Sequence, residues 1–280
     1  MGTLFLVATA IGHLDDVTLR ALRVLREADL LFAEDTRRAR ILLSHHEISA
    51  RPISLHTHNE RARCDRALES LDEGGQVALI SDAGTPLVSD PGERLVQAAI
   101  AAGHRVEAVP GPSAPLAALG VAGLPVQPFT FLGFLPRKAG ARRKLLEDFR
   151  TRAETIVMFE SPRRTGRTLA ELASWLGPER RACVARELTK LYEEVARGTL
   201  SELAERFSEG TRGEVTLVVE GAASDQGGGL DDGEVDQAVR QRLSAGQGAR
   251  EIASALAAET GRPRREVYAR VIAVGKEEDA

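Results

Sequence analysis

The stretch of this chain best equipped for chemistry is Ile80–Gly92, ISDAGTPLVSDPG, where an apolar run gives way to two aspartates, two glycines, two prolines and three small hydroxyls. Glycine accepts positive φ and lets a ligand approach the backbone closely. Proline pre-sets the chain and reduces the entropy lost on ordering. A simple reversal needs only a few residues. A loop specified over this length is expected to hold something with its backbone amides and carbonyls.

Two further turns follow apolar runs: ATAIGH, Ala8–His13, and VPGPSA, Val109–Ala114, in which Ser113 is placed to cap the next helix. Neither matches the dinucleotide pattern GxGxxG, and no Walker A lysine, GxSxG elbow or HExxH helix is present. Charged clusters make up the other group. EDTRRAR contains Glu34, Asp35, Arg37, Arg38 and Arg40; FESPRRTGR contains Glu160, Arg163, Arg164 and Arg167. ARELTKLYEEVARG adds Arg186, Glu187, Lys190, Glu193 and Glu194, and PRKAGARRK adds Arg137, Lys138, Arg142, Arg143 and Lys144. Taken singly, such charges are solvated or form ion pairs of small value. Glu34, Asp35, Glu160 and Glu187 are different, because each ends an apolar run, where a carboxylate beside arginine faces a cleft.

The elements that must position these groups alternate. TLFLV, ADLLFA, QVALI and HRVEAV read as strands, with helical patterns at DVTLRALRVLRE, RCDRALESLDEGG and GERLVQAAIAAG. This alternation implies a parallel-rich sheet covered by helices, with ligands beyond the carboxyl ends of its strands. After the linker AGLPVQPF, the strands FTFLGF, ETIVMFE, RRACVARE and GEVTLVVE repeat the α/β style. The expected division is an N-terminal α/β domain at 1–120, a C-terminal α/β domain at 121–223, and a hinge with a small helical appendage at 224–280. AASDQGGGLDDG is the hinge by composition.

The composition, 43% hydrophobic and 28% charged, is that of a soluble globular protein. Aromatics at 4% argue against stacking platforms for single-stranded nucleic acid, and the net charge of −4 gives no global attraction to it. Residues 126–223, however, hold 17 basic against 14 acidic side chains, the only third with a basic excess. Cys64 and Cys183 form no CxxC pair, so reduced thiols and no metal site are expected. GTLFLVATAI lacks a basic leader and is too short to span a bilayer, so a cytoplasmic protein is expected.

In order along residues 3–221, VATAIGHLDDVT, AEDTRRARILL, ISDAGTPLVSDPG, VPGPSA, GFLPRK, FESPRR, ARELTKLYEEVARG and GEVTLVVEG resemble the ribosomal RNA small subunit methyltransferase I family. That family is the cytidine 2′-O-methyltransferase branch of the tetrapyrrole methylase superfamily. The chain departs from the family pattern at Ala10, His13, Phe159 and Tyr192.

The resemblance implies a two-domain tetrapyrrole-methylase fold with an S-adenosylmethionine cleft between the domains. It implies Ile11, Asp82, Gly84, Thr85, Val88, Ser113 and Ala114 as cofactor contacts. The substrate would be the 16S RNA of the small ribosomal subunit, methylated in its decoding region by a homodimer without metal or membrane. A ribose hydroxyl needs a proton acceptor, for which Asp82, Glu34, Asp35 and Glu187 are the candidates. Lys190, Arg37, Arg163 and Arg186 would orient phosphates or stabilise the developing alkoxide. Arg137 and Lys138, with Arg142, Arg143 and Lys144, would face RNA. Three rival readings remain open: a methylase acting on a tetrapyrrole or a protein side chain, a non-catalytic assembly factor, and a DNA-reading helical tail.

Overall fold

Each apolar run that precedes a glycine- or proline-rich turn in the first half is a strand of one parallel sheet. The computed structural model describes residues 1–56, 59–222, 232–260 and 262–278. The first sheet has the order β3-β2-β4-β1-β5, formed by β1 (Thr3–Val7), β2 (Leu30–Ala33), β3 (Pro52–Ser54), β4 (Gln76–Ile80) and β5 (Arg105–Val109). Register decides what this sheet can do. Val7 lies opposite both Ile80 and Val109, and Ala33 opposite Ile80, so four strands end in line. The segments that follow them therefore emerge along one edge.

Alternation along β4 buries both faces of the sheet. Ala78 and Ile80 pack with Val24, Leu25 and Leu42 from α1 (Leu19–Glu27) and α2 (Thr36–His45). Val77 and Leu79 pack with Leu71 and Leu95 from α3 (Glu60–Asp72) and α4 (Glu93–Ala101). Thr18 caps α1 by accepting the Ala21 N–H, and Asp35 caps α2 by accepting the Arg37 N–H. The charged EDTRRAR motif thus opens a helix, which its polar composition concealed. The three-residue β3 was equally hidden.

The second sheet has the order β6-β7-β10-β8-β9. Its strands are β6 (Phe129–Phe134), β7 (Thr155–Glu160), β8 (Arg181–Arg186), β9 (Glu194–Thr199) and β10 (Val215–Val219). Only β6 and β7 pair in parallel; β10 runs antiparallel to β7 and β8, and β9 antiparallel to β8. The expectation of a repeated α/β style therefore needs qualifying. Residues 187–193 are too few for a parallel crossover, so β9 folds straight back along β8. Helices α5 (Ala114–Ala122), α6 (Ala139–Leu146), α7 (Thr165–Leu176) and α8 (Leu200–Arg206) complete this half. Cys64 and Cys183 are free and buried, and burial pushes the Cys183 thiol up to about 11, which leaves it inert.

Both sheets fall within one compact unit, residues 1–150 and 154–220; residues 151–153 and 221–280 form another. In the second unit α9 (Asp232–Ser244), α10 (Ala249–Thr260) and α11 (Arg264–Glu278) enclose Val235, Val239, Ile252, Leu256, Val267 and Val271. Most of the compositional hinge, 223–231, lies outside the described residues. No helix among the described residues is long and apolar enough to cross a membrane.

Two helical glycines give a matched test of the packing. A Cβ at Gly166 in α7 would collide with the Phe207 carbonyl at the end of α8, whereas a Cβ at Gly140 in α6 meets nothing within 4 Å. In urea unfolding, G166A should cost about 1–3 kcal/mol. G140A should be neutral or gain up to roughly 1 kcal/mol from helix propensity.

Candidate active site

The aligned strand ends of the first sheet meet one edge of the second across a cleft of about 440 Å3. From the first sheet come Ile11 after β1, Glu34 after β2, residues 82–85 and 88–90 after β4, and Ser113 and Ala114 after β5. From the second come Phe134, Phe159 and Glu160 at the ends of β6 and β7, Ala185 and Leu188 around the end of β8, and Gly213–Thr216 at the start of β10.

The floor is built by backbone. The Thr9 N–H donates to the Gly84 carbonyl at 2.9 Å, and the Ser81 hydroxyl donates to the same oxygen at 3.2 Å. Gly84 has φ +77°, and a Cβ there would come within 3.2 Å of the Ile11 methyl, at the expense of the cleft. The loop then bends through two non-glycine residues at positive φ, Leu87 and Ser89, both at 71°. Such conformations cost of order 1 kcal/mol or more each and persist only where surrounding structure enforces them. Gly92 at φ +122° closes the loop, where a Cβ would strike Leu79. At the third turn Thr85 donates its hydroxyl to the Pro112 carbonyl. Ser113 occupies the cap position of α5, yet its side chain makes no capping hydrogen bond.

Charged groups link the two sheets at this edge. Asp82 accepts the Asp35 N–H at 2.8 Å and lies 3.7 Å from Arg38; Arg38 reaches Glu214 at 3.3 Å. Glu214 meets the Lys190 ammonium at 3.0 Å, and Lys190 meets Glu187 at 2.8 Å. Desolvation alone would lower the Lys190 ammonium, but Glu187 and Glu214 raise it, so it remains charged. The Lys190 hydrogen bond in turn holds the Glu187 carboxyl below its ordinary value. Glu160 is only 4% exposed and is committed to the Ser161 N–H, the Thr168 hydroxyl and Arg164.

Glu34 and Asp90 stand apart from this chain. Their carboxyls lie within hydrogen-bonding reach of each other, and neither has an ion pair among the described residues. Burial, with the nearby charges of Asp82 and Asp90, pushes the Glu34 carboxyl up to about 7. Burial likewise raises Asp90.

All seven residues expected to contact a cofactor, Ile11, Asp82, Gly84, Thr85, Val88, Ser113 and Ala114, line this cleft, together with Glu34. Asp35, Glu187 and Lys190 do not line it; Lys190 borders a smaller adjoining hollow with Asp82 and Glu214. Asp35 grips Arg37 through both oxygens, which holds its carboxyl down to about 2. Arg37 is otherwise exposed, as are Arg137, Lys138 and Arg163. Arg186 pairs with Glu194 on the neighbouring strand at 2.9 Å. Arg142 departs from its expected RNA-facing role. It is 3% exposed and bonds Glu171 and the Pro136 and Arg137 carbonyls, so it fastens the loop instead. The departures from the family motifs sit outside the cleft except Phe159: the His13 N–H bonds Thr189, and Tyr192 is exposed. Outside the cleft lining, Asp15, His45 and His46 bring one potential metal-ligand atom each within 4.8 Å of the others. In the structure His45 and Asp15 bond each other at 2.8 Å.

Sequence reasoning assigned no site role to Asp90, Glu214, Phe134 or Phe159; the Phe134 and Phe159 ring centroids are 5.4 Å apart. Asp90 had a signal, the repeated Ser-Asp of Ser81-Asp82 and Ser89-Asp90. Glu214 had none, because it precedes its strand. Antiparallel pairing places Val215 opposite Glu160 and Arg186, and so brings the start of β10 to the edge where other strands end.

A parallel sheet with crossover helices and a mixed second sheet flank one cleft, a two-sheet α/β architecture. The family of tetrapyrrole (corrin/porphyrin) methylases matches residues 3–204. Solved structures share the fold: the methyltransferase CobJ at TM-score 0.62 and 24% identity, over 80% of this chain and 95% of that one. A Thermus thermophilus uroporphyrin-III C-methyltransferase complexed with S-adenosyl homocysteine gives 0.57 and 22%, over 78% and 97%. Two proteins named ribosomal RNA small subunit methyltransferase I are more similar. That of Halalkalibacterium halodurans is 42% identical over 95% of this chain and 93% of its own length. That of Xylella fastidiosa is 44% identical over 95% and 98%. Within the tetrapyrrole methylases, the chain belongs to the ribosomal RNA small subunit methyltransferase I family.

The unused cap at Ser113 separates binding from stability. S113A should change unfolding free energy by no more than about 0.5 kcal/mol. T199A, which removes the capping box of α8, should cost about 1 kcal/mol. Calorimetric titration with S-adenosyl homocysteine should show weakened binding for S113A and unchanged binding for T199A.

Proposed function

We propose that the protein methylates the ribose 2′-hydroxyl of a cytidine in the decoding region of 16S RNA, within the small ribosomal subunit, with S-adenosylmethionine as donor. In this reading it acts in the cytoplasm as a homodimer. The observation that carries the reading is the convergence of Ile11, Asp82, Gly84, Thr85, Val88, Ser113 and Ala114 with Glu34 on one cleft. The names of the relatives support the RNA substrate.

The residues present fit such a cofactor. The cleft volume lies in the range that encloses a ligand of this size. Ile11, Val88, Ala114 and Leu188 offer apolar surface, while Asp82, Thr85, Ser113 and the bare backbone around Gly84 offer polar partners. When bound, the cofactor supplies an electrophilic sulfonium methyl. The chain has to align a hydroxyl with it, and alignment alone contributes up to about 7–11 kcal/mol in favourable cases. The chain must also accept the hydroxyl proton, worth roughly a further hundredfold or more.

For RNA, the exposed cations Arg137 and Lys138 lie between β6 and α6, and Arg143 and Lys144 lie in the last turn of α6. Phosphate contacts of this kind fix register and orientation and make binding salt-dependent.

The direct test is methyl transfer from radiolabelled S-adenosylmethionine to small subunits that lack the modification, with free RNA and a tetrapyrrole precursor alongside. Label at one cytidine ribose in the subunit is the expected result. Label in the tetrapyrrole alone would remove the RNA reading. Reversing the charge of Arg137, Lys138, Arg143 and Lys144, with Arg142 left in place, should flatten the salt dependence of subunit binding. The slope should fall by about 0.7–0.9 for each phosphate that the variant no longer neutralises. An unchanged slope would place the RNA elsewhere.

A further inference from the structure

The cleft has four charged carboxylate neighbourhoods, and three are already satisfied. Asp82 is held by the Asp35 N–H and Arg38, Glu160 by the Ser161 N–H, Thr168 and Arg164, and Glu214 by Arg38 and Lys190. The fourth is the pair Glu34 and Asp90, which touch each other and form no ion pair among the described residues. Two carboxyls can share a hydrogen bond only while one of them holds a proton. The loop reaches this arrangement through Leu87 and Ser89, both at positive φ, immediately before Asp90. Backbone held against its preference in a ligand cleft marks a position that the structure enforces.

We propose that Glu34 takes the ribose hydroxyl proton during methyl transfer, and that Asp90, through its carboxyl contact, governs when Glu34 is free to do so. The proposal rests on the methyltransferase reading given above. In the step, the ribose oxygen bonds to the methyl carbon, and the carbon–sulfur bond breaks with its electron pair remaining on sulfur. The hydroxyl proton passes to the Glu34 carboxylate, which then donates it in a hydrogen bond to Asp90. Glu34 is thus the catalytic base and Asp90 a positioning residue. The groups facing the pair are Asp82 from the same loop, Arg38 from α2 and the Ser81 side chain beside Asp90. Asp82 opposes ionisation of Glu34 and Arg38 favours it, with burial the largest influence, so that Glu34 loses its proton near pH 7.

Two measurements test the proposal. The first needs neither cofactor nor RNA: carbon-13 NMR of labelled side-chain carboxyls in the full-length protein, titrated through neutrality. Glu34, assigned by its loss in E34Q, should titrate near 7. D90N should move it to lower pH, because an amide donor favours the carboxylate and one negative charge is gone. The second is the pH dependence of methyl transfer to small subunits. The rate should rise through neutrality to a plateau, E34Q should lose about a hundredfold or more together with that rise, and D90N should keep transfer but shift the rise to lower pH. An ordinary Glu34 titration, or E34Q retaining the rise, overturns the proposal. If the unaltered protein transfers no methyl group while Glu34 still titrates near 7, the methyltransferase reading and the proton-transfer step fall together, and the carboxyl pair stands.

Discussion

The cleft depends on a close approach between two backbones. Gly12, in the turn after β1, lies so near residues 188–190, in the connection from β8 to β9, that an added Cβ would sit 2.5 Å from the Lys190 side chain and 2.8 Å from the Leu188 carbonyl. On the other side of the same contact, Gly213 at φ +84° leaves no room for a Cβ beside Glu187. Glu187 and Thr189 are themselves at positive φ, and the Thr189 hydroxyl accepts the His13 N–H. Glycine-permitted packing and the His13 N–H bond to the Thr189 hydroxyl therefore hold the two halves together at one side of the cleft. The run of ion pairs from Asp82 through Arg38, Glu214 and Lys190 to Glu187 lies over that lock. Most members are partly exposed, and such pairs add little stability individually. Their value is geometric, since Arg38 joins Asp82 of the first half to Glu214 of the second and Lys190 joins Glu214 to Glu187.

Opposite strand directions then bring unlike segments to one place. The first sheet delivers four strand ends in register, and the second delivers the ends of β7 and β8 beside the start of β10. The result is a lining in which turn backbone, apolar methyls and carboxylates alternate within reach of one ligand. Long loops are not required for this, apart from the single extended segment after β4.

That segment explains how far the sequence could be read. Its glycines and prolines control local backbone, and local control leaves a local signature; the loop, the strand before it and the helix after it were all legible. The same holds for β1, β4, β5 and β10, whose apolar runs stand out between polar turns. Legibility failed where the decisive fact was pairing. EVARGT reads as a charged run because β9 is an edge strand, and EDTRRAR reads as a surface patch because α2 buries only Ala39, Leu42 and Leu43. Arg142 read as an RNA contact, yet it is buried against Glu171, a partner twenty-nine positions away. Glu34 and Asp90 were both visible as residues. Their contact was not, because it depends on how a strand end and a bent loop meet in space.

The carboxyl pair has a cost for the folded chain as well. An unfolded chain releases the Glu34 proton near 4.5, whereas the folded protein keeps it to about 7. Between those values the native state binds the extra proton, so Glu34 draws stability away from the fold as pH rises through that window. Below the window its contribution is neutral, and above it the full penalty remains. The condition that readies Glu34 for chemistry is also the condition in which the loop around Asp90 is least content. Durability and reactivity are set against each other at one proton.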